Sequence, residues 1–287
     1  MNSRTFFQFT APSAIVIVAL MIFPLVIAFW FSLHYITFTN IFSPVFTGFK
    51  NYEEILGDQQ FWGALQWTVI IILIAVPAHI FLGFVGALLL DQYTGALRSI
   101  FLSVLLLPIL VVPVIGTIMF RQLFDPTGLM TWLIRVTSGQ SFVFNELSIK
   151  SLIIFHTIWT SVPFALITFF AGLQTLPQEL VDAAAIDGAN RLQQIRHIVI
   201  PHLKLLFILN VLVAIMDFFR LFDNVFVLTR ENPIYKADTI MTYNFRIALM
   251  VQDLGKGNAV AIVTVITILL VLVPFLYYTF RAQVEGH

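Results

Sequence analysis

Cysteine is absent from the 287 residues, and charge is scarce. The missing thiols exclude disulfides, thiol nucleophiles and cysteine-ligated metals together, though they say little about compartment. Asp, Glu, Lys and Arg make up only 10% of the chain, against about 25% in a soluble globular domain. So few charges cannot cover a water-facing surface, and lipid is the expected solvent over most of the area. Fifteen basic residues balance fifteen acidic ones, so no basic excess points to nucleic acid. No Gly-x-x-x-x-Gly-Lys-Ser/Thr phosphate loop occurs, which removes the usual means of binding ATP. The membrane histidines His79 and His156 lack metal-ligand spacing and a clustered catalytic set, so an intramembrane enzyme is disfavoured.

What the chain has is apolar length: 59% hydrophobic residues, with 30 Phe. A hydrocarbon core of roughly 30 Å needs about 20 apolar residues in a helix, and in lipid only a helix satisfies its own backbone. Six stretches qualify, near residues 12–33, 65–90, 99–120, 151–173, 203–229 and 259–280. The expected fold is an all-α integral membrane protein with about six transmembrane helices, forming a single transmembrane domain over 1–287. The first stretch is too long for the apolar core of a signal peptide, and no small-residue cleavage site ends it. It is expected to remain as a helix. Pro24, Pro77, Pro108, Pro113, Pro163 and Pro274 fall inside these stretches. They suggest bent helices around a pathway, or packing kinks alone. Six spans put both termini on one side, but Lys and Arg are spread almost evenly between the two sets of connections, so charge does not fix orientation.

One polar connection, at about 174–203, differs from the rest. Thr175 and Gln178 have the form of a capping box, with Pro177 in the first turn. Leu180, Ala183, Ala184 and Asp187 follow at helical spacing, and Gly188 is a helix terminator able to adopt positive φ. A second amphipathic run carries Leu192, Ile195, Ile198 and Val199 before Pro201. The pattern predicts a short helix, a turn and a second helix at the membrane surface. The alanines leave the first helix thin enough to seat deep in a groove of another protein.

This connection resembles the cytoplasmic loop of binding-protein-dependent ABC importer permeases, in which Glu-Ala-Ala, three residues, Gly, nine residues and Ile-x-Leu-Pro recur. Here Asp182-Ala183-Ala184 precede Gly188 at that spacing, and Ile198-Val199-Ile200-Pro201 follow. Asp182 stands for Glu and Ile200 for Leu. Ile186-Asp187-Gly188-Ala189 resembles the sugar branch, the maltose and glycerol-3-phosphate group. Phe46-Thr47-Gly48-Phe49-Lys50-Asn51-Tyr52, with Phe61-Trp62, resembles the first external loop of sugar permeases. Phe222-Asp223-Asn224-Val225 resembles the end of their fifth span, and Asp253 to Ala259 the entry to the last. Arg230-Glu231-Asn232-Pro233 departs from the usual Gly-Gly-Pro.

The resemblance implies a non-catalytic permease subunit forming half of a translocation pathway for a sugar-like solute. It implies a second, homologous permease chain, two cytoplasmic ATPase subunits that bind ATP and Mg, and an external solute-binding protein. No cofactor is expected on this chain. It places the chain in the bacterial cytoplasmic membrane, multi-pass, with cytoplasmic termini. Asp182, Ala183, Ala184, Asp187 and Gly188 become the expected ATPase-coupling residues.

Two intramembrane groups are candidates for the solute pathway. On the fourth stretch His156, Trp159, Thr160 and Pro163 recur at helical spacing. Polar groups there can bond hydroxyls while a ring covers the apolar side of a sugar. An interhelical contact is the other reading. On the fifth, Asp217, Arg220 and Asp223 recur every three residues, with Asn224 beside them. Each charge at a helix centre costs roughly 2.5–3.5 kcal/mol on insertion scales, so the three are not expected to face lipid. Spacing of three predicts Arg220 within reach of both acids on one helical side. They form either a polar wall of the pathway or an ion-pair ladder joining helices. A secondary transporter using these charges is the rival function, although no internal repeat supports it.

Overall fold

The computed structural model of the chain describes residues 3–284. In order, α1 (Ser3–Ser32) leads to two paired two-residue strands, β1 (His34–Tyr35) and β2 (Val45–Phe46), then α2 (Lys50–Gly57) and α3 (Gln59–Asp91). Next come α4 (Gly95–Leu110), α5 (Pro113–Phe124), α6 (Leu129–Ser138) and α7 (Glu146–Leu173). The polar connection holds α8 (Gln178–Ile186), α9 (Arg191–Gln194), a π turn at Ile195–Val199 and α10 (Ile200–His202). The chain closes with α11 (Lys204–Phe219), α12 (Asp223–Thr229), α13 (Ile240–Phe245), a π turn at Arg246–Met250, and α14 (Leu254–Val284).

Among the described residues, four helical segments are long and apolar enough to cross a membrane unbroken: Thr10–Ser32, Gln59–Asp91, Glu146–Leu173 and Leu254–Tyr277. Two more spans are bent pairs, Gly95–Leu110 with Pro113–Ser138 at 99° and Arg191–His202 with Lys204–Phe219 at 68°. Six spans result when each bent pair counts as one, and two of the six expected stretches are not continuous helices but broken ones. The stretch 99–120 parts at Val111 and Val112, because Pro113 lacks an N–H and forces Val112 out of the α region, to ψ 124°. The stretch 203–229 ends its helix at Phe219, and α12 restarts at Asp223. Arg220 caps α11 and Phe222 is non-helical at φ −124°, ψ −62°. Asp217, Arg220 and Asp223 therefore do not share one helical face. Nor does Arg220 come within 4 Å of either acid as an ion pair among the described residues.

The chain's contacts group into two compact units, one up to Gly63 with Thr242–Tyr277, the other Ala64–Met241 with the residues from 278 on. In the first unit, the two stretches that resemble sugar permeases at 46–52 and 253–259 meet. Asn51 Nδ2 donates to the carbonyls of Ser32 (2.8 Å) and His34 (3.0 Å), and the backbone of Leu254 donates to Ile36 at 2.8 Å. Lys256 Nζ reaches Glu54 at 2.6 Å. The Tyr243 hydroxyl donates to Asp58 at 2.7 Å.

In the second unit, α3 and α7 approach closely at Gly83, where a Cβ would strike Ala165. Small residues permit such backbone approach in membranes. Below that contact Ala87, Ala165, Phe169, Leu173, Val199 and Leu203 form one buried cluster. It anchors the second half of the polar connection to the foot of α7.

Candidate functional site

A cavity of about 460 Å³ opens in the second unit where the two helix breaks meet. The α4–α5 break supplies Pro108, Ile109, Val111 and Pro113; α7 supplies Thr157, Thr160 and Ser161. The α11–α12 break supplies Asp217, Phe218, Arg220, Leu221, Phe222, Asp223 and Asn224. One wall is thus apolar and the other carries hydroxyls, an amide and charge. The volume lies within the usual range for small-molecule sites, about 300–1,000 Å³. Broken spans suit such a place, because non-helical backbone at membrane depth is tolerated where it lines a cavity.

A buried hydrogen-bond node fixes the two breaks. The Thr117 hydroxyl, fully buried, lies 2.8 Å from the Pro113 carbonyl, 3.1 Å from Asn224 Oδ1 and 3.5 Å from His156 Nε2. Arg121, also buried, donates to the Leu228 carbonyl at the end of α12 and stacks over the Phe144 ring at 4.6 Å.

Of the pathway candidates, the cavity brings together Thr160, Asp217, Arg220, Asp223 and Asn224. His156 and Trp159 do not line it. His156 is buried behind the wall beside Thr117, and its ring lies 4.9 Å from Phe120. Trp159 lies almost parallel to Phe120 at 6.3 Å. Both belong to an aromatic cluster on the neighbouring side of α7. The sequence reading missed Thr157 and Ser161. The signal was present, since 157, 160 and 161 share a helical face; the face centred on His156 and Trp159 is rotated from it by a fraction of a turn.

The polar connection folds as helix, turn and second helix. At the end of α8, Gly188 takes φ +84°, Gly188 N donates to Ala185 O at 3.1 Å and Ala189 N to Ala184 O at 2.9 Å. That is the Schellman pattern, and a glycine there avoids the steric cost of a Cβ. The N-terminus differs from expectation. Pro177 is the N-cap and provides no side-chain bond. Thr175 turns instead to the Gly172 carbonyl at 2.8 Å and His202 Nε2 at 3.0 Å. The full capping box falls at α9, where Asn190 and Gln193 bond reciprocally. No residue of α8 is buried, and Asp182, Ala183, Asp187 and Gly188 are exposed while Ala184 is half-buried. Ile186 is 87% exposed and Leu192 74%. Leu192 thus points outward, while Val199 alone of the second run is fully buried and Ile195 and Ile198 are half-buried.

Comparison with known proteins decides the family. No family model matches the chain. It is 30% identical over 287 residues to y4oQ of Sinorhizobium fredii, named as a probable ABC transporter permease protein, covering 97% of this chain and 91% of that one. The chain belongs to the ABC transporter permease family. The permease is also 29% identical over 263 residues to the trehalose/maltose transport system permease protein MalF of Thermococcus litoralis, covering 90% of this chain and 88% of the relative. Its fold matches a chain of a bacterial ABC transporter for import of alginate with a TM-score of 0.84 at 18% identity, covering 98% of the permease and 96% of that chain. The permease is an all-α integral membrane protein, as its composition required.

Proposed function

We propose that the permease is one subunit of an ATP-driven importer for a sugar or sugar-like solute. The observation that carries this reading is the cavity between two broken spans, where hydroxyl and amide groups of α7 and the α11–α12 break, with the rings of Phe218 and Phe222 beside them, face the prolines and aliphatic side chains of the α4–α5 break. Polar groups suit solute hydroxyls, and apolar surface suits the C–H faces of sugar rings. The name of the trehalose/maltose relative supports the solute class. The alginate transporter of the same fold is described in complex with an oligosaccharide-bound periplasmic protein, which supports an external binding protein as partner.

In this reading a second, homologous permease chain completes the pathway. Two cytoplasmic ATPase subunits hold ATP and Mg. The permease lies in the bacterial cytoplasmic membrane with its termini inside. α8, with Asp182, Ala183, Ala184, Asp187 and Gly188, docks into the ATPase. Its exposed apolar tips at Leu180 and Ile186 await a partner. Val199 and Leu203, buried against α7, transmit its displacement to the spans.

The test is uptake by the permease with its co-purifying subunits in proteoliposomes, supplied with external binding protein and trehalose. ATP inside is expected to drive accumulation. Accumulation driven by an ion gradient without ATP would instead make Asp217, Arg220 and Asp223 the coupling groups of a secondary transporter.

A further inference from the structure

The cavity between the two breaks is charged unevenly. Asp217 and Asp223 line it with a single cation, Arg220, so the lining charge is two negatives against one positive. Among the described residues, Arg220 forms no ion pair within 4 Å with either acid, so the surplus carboxylate is not masked by contact. The remaining polar lining is neutral: Thr157, Thr160, Ser161 and Asn224. Thr157 is 2% exposed, and its hydroxyl is buried without a hydrogen-bond partner. A buried unpaired hydroxyl is costly in an apolar setting, and at a cavity wall a ligand hydroxyl would relieve that cost.

We propose that this wall selects uncharged hydroxylated solutes and turns away acidic sugars, with Asp217 and Asp223 as the selecting groups. The proposal rests on the cavity being the solute pathway. Four neutral groups can exchange hydrogen bonds with hydroxyls, and Phe218 and Phe222 can cover a ring face. A uronate entering the same space meets one unbalanced carboxylate. At roughly 8 Å and an effective dielectric near 20, that repulsion weakens anion binding about thirtyfold relative to a neutral solute. An amine-bearing sugar gains by the same interaction.

The test uses the permease with its co-purifying subunits in nanodiscs, without external binding protein, so that only the membrane site is read. Tryptophan fluorescence follows binding of trehalose, of digalacturonate and of diglucosamine, which are neutral, acidic and cationic at pH 7. In the wild type, digalacturonate is expected to bind at least tenfold more weakly than trehalose. Asp217→Asn and Asp223→Asn should raise digalacturonate affinity relative to trehalose and lower that of diglucosamine, each on the order of tenfold. A merely structural effect would move both charged sugars the same way. If either Asn variant assembles poorly, Arg220→Gln supplies the opposite sign, with digalacturonate weakened further and diglucosamine strengthened. Equal affinity for trehalose and digalacturonate in the wild type overturns the proposal, as does a shift of both charged sugars in one direction. Thr160→Val and Asn224→Ala separate the two failures. If they weaken trehalose binding while the charge variants leave the ratios fixed, the charge selection falls and the pathway stands. If they leave trehalose binding intact, both fall.

Discussion

Asn224 Oδ1, at the start of α12, lies 3.1 Å from the Thr117 hydroxyl of α5. This contact ties the two broken spans together behind the cavity, and His156 stands 3.5 Å from the same hydroxyl. Interhelical hydrogen bonds in membranes contribute about 0.6 kcal/mol on average and up to about 1.7. A double-mutant cycle of Thr117→Val and Asn224→Ala, read as unfolding free energy in detergent, should give a coupling energy in that range. Additivity of the two changes would mean the breaks are held by packing alone.

Gly188 makes the left-handed turn that ends α8 in the polar connection. No neighbouring atom lies within 4 Å of a Cβ built there, so a side chain meets space but not a permitted backbone. A left-handed residue other than Gly costs roughly 1–2 kcal/mol, more for a β-branched one. Gly188→Val is expected to insert normally yet lose at least tenfold in solute-stimulated ATP hydrolysis. Gly188→Asn, which tolerates positive φ, should retain most of it. Equal hydrolysis in Gly188→Val and the wild type would show that coupling does not depend on this turn.

Arg230 and Glu231 hold consecutive left-handed conformations, φ 49° and 56°. They lie in the Arg230-Glu231-Asn232-Pro233 stretch that departs from the Gly-Gly-Pro pattern, so the turn is made here at a steric cost. Glycine relieves that cost, about 1–2 kcal/mol per residue, and returns part of it as unfolded-state entropy, roughly 0.5–1 kcal/mol. Glu231→Gly is predicted to raise stability by up to about 1 kcal/mol, and Glu231→Val to lower it. A thermal shift series decides the sign.

The Glu54 carboxyl is held below its usual range, first by the hydrogen bond from Lys256 and then by the charges of Lys256 and Lys50. A depressed carboxylate adds stability above its unfolded pKa and loses it as pH falls through the folded value. The stability gap between wild type and Glu54→Gln should therefore be full at pH 7 and close below about pH 4.5, the unperturbed value. The effect is small, because the pair is partly exposed and screened by salt. A gap that widened on acidification would contradict the pairing.

The sequence made some of this legible and hid the rest for physical reasons. Apolar length marked the six spans, since lipid leaves helices few alternatives. Gly188 was readable because only the backbone decides its role. Pro113 was visible, but whether a proline kinks a helix or ends it depends on what receives the freed carbonyls. The break at Arg220 to Phe222 has neither Gly nor Pro, so periodicity ran straight through it. The charges Asp217 and Asp223 still reached one cavity, because two helix ends facing a gap converge where one helix would have aligned them. Thr175 looked like a cap, but His202 and the Gly172 carbonyl, brought near by the fold, competed for its hydroxyl.

The proposed function needs α8 to be the surface that meets an ATPase, and the absence of cysteine makes this directly measurable. A single cysteine at Ala185, which is exposed on α8, should form a thiol-reactive cross-link to a nucleotide-binding subunit in native membranes, with a yield that changes between nucleotide-free and ATP-bound conditions. Val143, also exposed and remote in sequence from α8, serves as the control and should give no such product. A nucleotide-binding subunit captured from Val143 and not from Ala185 would contradict both the coupling role of α8 and the orientation in the membrane.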